Sequence, residues 1–453
     1  MKPINGKKIN LFVCGPTVYD FSHIGHARTY IIFDCFAKYL AFLGFKVFYL
    51  QNITDVDDKI IARAREKGVS PADLAKAFTE NHLQDMKALR VTSINKYAPT
   101  TDYIPQIISQ IERLMQKNCA YKLEDGIYFD ISTFKDYGKL SHRTALQAED
   151  SVSRIDYSTL KKNRGDFCLW KFNAGVEGEP SWPSPFGAGR PGWHIEDTAT
   201  TEKFFGAQYD IHGGARDLIF PHHEAEITLM ETISGKEPLA KYWMHTGFLT
   251  IGDQKMSKSE GNSVFIGDFL KRYSPQQLRF WIAKNMWRMP MNYSETILAD
   301  AKSSLEKLSE CVRKVKNPAK VIKIDKNMAG VIKKAKEDFW AALADDFNTP
   351  QAFATLFDLV KETNKALDAS VLGKKDANAI FTLFKEMNTI FDIIDFKKLG
   401  APAIPNEVKK LVKARENHRK NKEWQKSDET RLEIEKYGYT VQDTQDGPVI
   451  KKI

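Results

Sequence analysis

An apolar run at Ile9–Cys14, a turn-rich loop, a helical stretch over about Ala27–Leu43 and a second β-branched and aromatic run at Lys46–Asn52 follow one another in that order. Strands joined through a helix do not form a hairpin; they lie parallel, with a right-handed crossover. Gly44 stands just past the helix, where a left-handed residue closes the last turn without a Cβ clash. The chain therefore opens as an α/β parallel sheet, and in such sheets ligands sit outside the carboxyl ends of the strands. A further helix is predicted from about Pro71 to Leu89. From about Cys119 to Pro191 the pattern weakens, and Gly-, Pro- and Trp-rich pieces such as SWPSPFGAGRPGW read as an insertion between two sheet halves. The sheet is expected to resume at Tyr209–His212 and again at Gly247–Ile251.

Beyond Ser294 the period changes to that of helices. Leu305, Leu308 and Val312 share one face, as do Ile380, Leu383, Phe384, Met387, Phe391 and Ile394, which predicts an antiparallel bundle. Thr349-Pro350 reads as an N-cap followed by proline at the first helical position. Gly400-Ala-Pro-Ala-Ile-Pro405 reads as a linker. Between Glu407 and Lys426 stand eight Lys/Arg and three Glu, a net charge of +5. The boundaries that follow are 1–294 for the α/β domain with its insertion at about 119–191, 295–399 for the bundle, and 400–453 for linker and C-terminal domain.

Composition narrows the partners. Hydrophobic residues make up 42% and charged residues 28% of the 453, which excludes wholesale disorder. No stretch of about 18 residues is free of charge, which excludes a spanning helix. MKPINGKKINLF lacks the long apolar core of a secretory signal. The net charge of +9 favours a polyanionic partner, though many soluble proteins carry as much. Five scattered cysteines argue against a disulfide framework and for a reducing cytoplasm.

Two segments carry chemistry. His23-Ile24-Gly25-His26 lies after the first strand, at a helix start, where unpaired N–H groups and a partial positive charge favour phosphate. Gly25 lets an adenine ring approach the backbone. Imidazoles three residues apart face the same way and can donate to phosphate oxygens; they could equally be capping or core histidines. Lys255-Met256-Ser257-Lys258-Ser259, followed by Glu260-Gly261-Asn262, lies in a polar loop after a predicted strand. Two lysines among small residues make a mobile clamp for a polyphosphate, or merely a solvated loop.

Both segments occur in order, each at a strand end, with over two hundred residues between. With that, the sequence resembles the class I aminoacyl-tRNA synthetases. The fuller strings CGPTVYDFSHIGHAR, QNITDVDDKI, GRPGWHIE, YDIHGG, FPHHEAE, KMSKSEGN and DDFNTPQA are similar to those of the cysteinyl-tRNA synthetase family, nearly along the whole chain. The resemblance implies a Rossmann-like catalytic domain, a helical bundle and a small anticodon-recognising domain. It implies that ATP and L-cysteine react to cysteinyl-adenylate, and that the cysteinyl group passes to the 3′ end of tRNA(Cys), releasing AMP and diphosphate. His23 and His26 then contact the ATP phosphates, Lys255 and Lys258 come from the mobile loop, Gly25, Lys258 and Asp217 hold the nucleotide, and Mg²⁺ accompanies ATP. Gly15, Thr54 and Trp193 fall around the amino acid; Thr54 as a strand end and Trp193 as packing are their plainer readings. The family is usually monomeric. It also usually carries a short segment ahead of a string like KPINGKK, so either a first strand is absent or the start is placed late.

The family holds a zinc ion that binds the substrate thiol, through two cysteines, a histidine and a glutamate. Cys14, His222 and Glu226 match three of these ligands, but Asp197 stands where the second cysteine is usual. Aspartate can ligate zinc and preserves the formal charge, yet its oxygen is harder than a thiolate. Zinc on Cys14, Asp197, His222 and Glu226, the same four as a metal-free polar cluster, and the neighbouring His223 standing in as ligand are all open. A soft metal would matter because cysteine and serine differ by one atom.

In the tail, Lys and Arg would contact phosphates, and Trp424 and Tyr439 are candidates for stacking on bases, with the buried face of an amphipathic helix the preferred place for Trp424. Gly447-Pro448-Val449-Ile450 lacks the aromatic usual there. Two rival readings remain: a cysteine ligase acting on an amino-sugar, against which the basic tail argues, and a synthetase whose amino-acid specificity is altered by Asp197. A non-catalytic tRNA-binding paralogue is countered by the intact His23, His26, Lys255 and Lys258.

Overall fold

The fold was obtained as a computed structural model that describes residues 1–143, 160–173, 175, 178–252, 254–256, 261–316, 318, 327–397, 399, 404–444 and 447–452. Among these, two compact units separate, Met1–Ile394 and Asp395–Ile453.

The larger unit is built on β1 (Lys8–Val13), β2 (Lys46–Ile53) and β3 (Lys96–Pro99). An antiparallel sheet of β4 (Ala120–Lys122), β5 (Gly126–Phe129), β6 (Phe167–Phe172) and β7 (Gly189–Pro191) is interposed before β8 (Tyr209–Ala215) and β9 (Ala240–Thr246) complete the main sheet. The main sheet has the order β3-β2-β1-β8-β9 and is parallel throughout. The order reverses between β1 and β8, so the ends of these two strands form the crevice where parallel sheets bind ligands. β1 reads as a continuous apolar run because five of its six residues are buried.

The helix after β1 spans Ile24–Phe42, three residues earlier than its apolar period indicates, because His23 caps it. Gly44 takes φ +85° past its end. The last sheet strand differs from the sequence expectation: it is β9, Ala240–Thr246, and not Gly247–Ile251. β9 is an edge strand whose Lys241, exposed to solvent, and His245 interrupt the apolar run that marks β1. Leu249–Ile251 (β10) belongs instead to a separate sheet, antiparallel to β11 (Gln254–Lys255) and parallel to β12 (Met291–Tyr293).

Helices Glu295–Lys316, Met328–Ala344, Thr349–Asp368 and Lys374–Phe391 follow. Leu305, Leu308, Val312 and the whole Ile380-to-Ile394 stripe are buried. The cap of the third of these helices is Asn348, whose side chain accepts from the Gln351 N–H; Thr349 is already helical, one residue off the sequence expectation. A buried brace joins this bundle to the helix after β1: the Arg279 guanidinium donates to Asp34 at 2.7 Å and to the carbonyls of Leu89, Arg90 and Phe391.

In the smaller unit, helices Asn406–Lys420 and Trp424–Lys436 pack with the hairpin β13 (Tyr439–Thr444) and β14 (Gly447–Lys452). Its core is Val408, Val412, Ile434, Tyr439 and Val441. Two expectations reverse here. Trp424 is not on a buried face but 59% exposed at the start of its helix, and Tyr439 is not presented for stacking but 6% exposed in the core. The linker residues 400–403 lie outside the described residues.

Candidate active site

Residues at the crevice enclose a cavity of about 480 Å³. His23, Gly25 and His26 line it from the helix start; Cys14 and Gly15 from the end of β1; Thr54 from beyond β2; Trp193 and Asp197 from around the helix Ile195–Phe205; Asp217 and His222 from the loop after β8; Met256 from the second signature segment. Gly15 is glycine because a Cβ would meet the Asn52 carbonyl oxygen at 1.8 Å.

The two signatures meet. The Ile24 N–H donates to Val264 and the Ile266 N–H donates to Ser22, both at 2.9 Å, so the chain leaving the second signature is bonded to the turn of the first. The start of the loop is held as well. Arg28, buried and pushed down to about 10 by burial, donates to the carbonyls of Phe248, Trp287 and Met289, fixing the entry to β10. Lys255 has its backbone in β11. Lys258 lies outside the described residues.

His23 and His26 cap the helix reciprocally. His23 Nδ1 accepts from the Gly25 N–H at 3.1 Å, His26 Nδ1 accepts from the His23 N–H at 3.2 Å, and the rings stack at 3.9 Å. An Nδ1 that accepts a backbone N–H cannot carry the proton of a neutral ring, so each ring holds it on Nε2 as a donor. The capping reading and the phosphate reading of these histidines are thus compatible: the cap sets the tautomer.

The opposite wall is a buried polar cluster. Cys14 Sγ lies 3.5 Å from Asp197 Oδ2, 3.1 Å from His223 Nε2 and 3.6 Å from His212 Nε2. His222 Nε2 lies 2.9 Å from Asp197 Oδ2 and 3.3 Å from Glu226 Oε1. Each histidine has its Nδ1 engaged elsewhere: His222 with His194, His212 with the Tyr209 hydroxyl, His223 with His245. Burial, reinforced by Glu226 and Asp197, raises the Cys14 thiol well above its ordinary value, and burial next to Asp197 does the same to Glu226. Burial keeps His212 and His223 neutral. Thr54 donates to Glu196 at 2.5 Å, and Trp193 stacks on His222 at 4.5 Å.

These residues fit a metal ion. Asp197 Oδ1 and Glu226 Oε2 are buried acceptors without a hydrogen-bond partner, and a neutral-imidazole, thiol and carboxylate set is what zinc takes. Two four-donor groups meet the distance requirement: Cys14, Asp197, His222, Glu226, and Cys14, His212, His223, Glu226.

Of the sequence-derived residues, Cys14, Gly15, His23, Gly25, His26, Thr54, Trp193, Asp197, Asp217 and His222 line the one cavity, and Glu226 stands behind it against His222; Lys258 and the side chain of Lys255 lie outside what is described. Sequence reasoning passed over Arg28, and left His212 without a role although it lies in the quoted YDIHGG string. The available signal was density: five of ten histidines fall between His194 and His245.

Known proteins match along the chain. The model for the class I (C) tRNA synthetase catalytic domain matches residues 1–303, the DALR domain 338–395, and the cysteinyl-tRNA ligase anticodon-binding domain 401–448. A cysteine–tRNA ligase of Thermoplasma volcanium is 44% identical over 441 residues, covering 97% of this chain and 94% of that protein. That of Thermoplasma acidophilum is 42% identical over 98% and 96%. Among solved structures, methionyl-tRNA synthetase of Mycobacterium tuberculosis with methionyl-adenylate superposes with TM-score 0.62 at 16% identity, covering 85% of this chain and 89% of that one. A leucyl enzyme of Agrobacterium radiobacter with tRNA superposes with TM-score 0.65 at 11% identity, covering 88% and 86%. The latter two establish the fold. With the catalytic-domain match spanning 303 residues and relatives of this identity along its length, the chain belongs to the class I tRNA synthetases of the cysteine–tRNA ligase family.

Proposed function

We propose that this protein activates L-cysteine with ATP and transfers the cysteinyl group to the 3′ end of tRNA(Cys). The observation that carries the reading is the single cavity shared by the 23–26 turn, Met256 of the second signature and the Cys14–Asp197–His222 wall. In the first step a cysteine carboxylate oxygen bonds to the α-phosphorus of ATP as diphosphate leaves. In the second a ribose hydroxyl of the terminal adenosine bonds to the carbonyl carbon, loses its proton, and AMP leaves. Neither step needs a covalent enzyme intermediate; both need alignment and charge stabilisation.

The His23 and His26 Nε2–H groups and the helix N-terminus meet the phosphates, with Gly25 giving the nucleotide close access. Lys255 and Lys258 supply positive charge as diphosphate departs, Asp217 holds the ribose, and Mg²⁺ arrives with ATP. Gly15, Thr54 and Trp193 surround the amino acid. Cys14, Asp197, His222 and Glu226 would hold zinc, which when bound would take the substrate thiolate and separate sulfur from oxygen. The anticodon-domain match over 401–448 supports tRNA as the acceptor over an amino-sugar. Cysteine-dependent ATP–pyrophosphate exchange, with serine as control, and charging of tRNA(Cys) test the reading. Exchange and charging with cysteine are expected. Exchange without charging would favour the amino-sugar ligase, and exchange with serine the altered specificity.

A further inference from the structure

The second signature hangs from a small sheet, and one buried cation fastens that sheet to the helix of the first. Arg28, two residues past His26, is 2% exposed and does not line the cavity. Among the described residues no carboxylate pairs with it; its partners are backbone carbonyls. Nη1 donates to Phe248 at 2.5 Å, and Nη2 donates to Trp287 at 3.2 Å and to Met289. Phe248 leads into β10, while Trp287 and Met289 lead into β12, its parallel neighbour. β11 lies on the other side of β10, with Lys255 opposite Thr250. One fork therefore holds the roots of both strands that support the second signature.

The grip is close. The Gly247 N–H donates to the Trp287 carbonyl at 2.9 Å, and a Cβ at Gly247 would meet the Met289 carbonyl oxygen at 2.4 Å. Beside Arg28, the Thr29 hydroxyl pairs with that of Thr246 at the end of β9, at 2.8 Å. The exit of the segment is bonded to Ser22 and Ile24. Both ends of the stretch that bears Lys255 and Lys258 are thus attached to residues 22–29, the turn and helix start that present His23 and His26. Burying a cation without an anion is costly. What a planar guanidinium adds over an apolar contact is a fixed spacing among several acceptors.

We propose that Arg28 is a positioning residue for adenylate formation: its fork sets the distance between His23 and His26 on one side of the triphosphate and Lys255 and Lys258 on the other. The proposal deepens the functional reading above and rests on it. The spacing matters while charge builds on the departing diphosphate. In the transfer to tRNA the diphosphate is gone, and the lysines have nothing left to act on. Arg28→Lys keeps the charge but loses the fork. In ATP–pyrophosphate exchange its kcat should fall at least about 30-fold with the cysteine KM within about 3-fold, while single-turnover transfer from preformed cysteinyl-adenylate to tRNA(Cys) stays within about 3-fold. Gly247→Ala wedges the same carbonyls apart without touching Arg28 and should show the same split; it keeps the test open if Arg28→Lys does not fold by circular dichroism. A full exchange rate in Arg28→Lys would mean that charge alone suffices, and equal losses in both steps, or loss of the fold in both variants, would leave Arg28 a purely structural role. Each of these results overturns the proposal. A wild-type protein without cysteine-dependent exchange would instead defeat the functional reading.

Discussion

The two compact units treat polar and apolar groups in opposite ways. The larger one buries a thiol, two carboxylates and a set of histidines in mutual contact, and its Arg279–Asp34 brace is likewise wholly interior. The smaller one keeps a core of five residues, leaves Trp424, Leu432 and Tyr437 more than half exposed, and ties its hairpin by the partly exposed Arg415–Asp443 pair, which lowers the Asp443 carboxyl to about 2. Burying ionisable groups without water is costly unless something repays it. The expense is accepted where a reaction needs a dry, fixed site. Where the partner is a long polyanion, exposed rings and cations suffice.

The contrast can be broken most severely at Cys14, which belongs to both donor sets. Cys14→Ala should raise the cysteine KM at least about 100-fold and the ATP KM by less than about 3-fold; steady-state kinetics in both substrates would show it, and equal rises would remove Cys14 from thiol recognition. The brace comes next. Arg279→Met takes from the buried Asp34 carboxylate one of its two cationic partners, leaving Lys38 and the Thr92 and Ser93 N–H groups, and should cost about 2–4 kcal/mol in urea unfolding. Tyr439→Ala should cost the smaller unit about 2–4 kcal/mol of its own unfolding free energy by opening its core. Trp424→Ala should change stability by less than about 0.5 kcal/mol while weakening tRNA binding about 10-fold. If Trp424→Ala unfolds the unit and Tyr439→Ala does not, the assignment of inside and outside there is wrong.

What could be read in the sequence follows from the same contrast. β1 and the helix after it are buried on all sides, so their apolar runs were unmistakable, and His23 and Gly25 could be located from a helix start alone. β9 was missed because an edge strand carries Lys241 and His245. His212 escaped because a single histidine inside a strand looks like any satisfied core residue; only the fold brings it beside Cys14, 198 positions away. Trp424 and Tyr439 were exchanged because a tail with so small a core has too few apolar positions to set a period. Trp424, the larger aromatic, opens its helix at the first turn and so stays outside the core.

If the Cys14 cluster, sharing its cavity with the 23–26 turn, reads sulfur through a metal, selectivity for cysteine depends on that metal. Its most direct measurement is the ratio of cysteine to serine in ATP–pyrophosphate exchange, taken on zinc-loaded protein, on the same protein stripped by chelation, and after zinc is restored. A large preference for cysteine is expected, collapsing on stripping and returning with zinc. A preference that survives complete removal of the metal would contradict it.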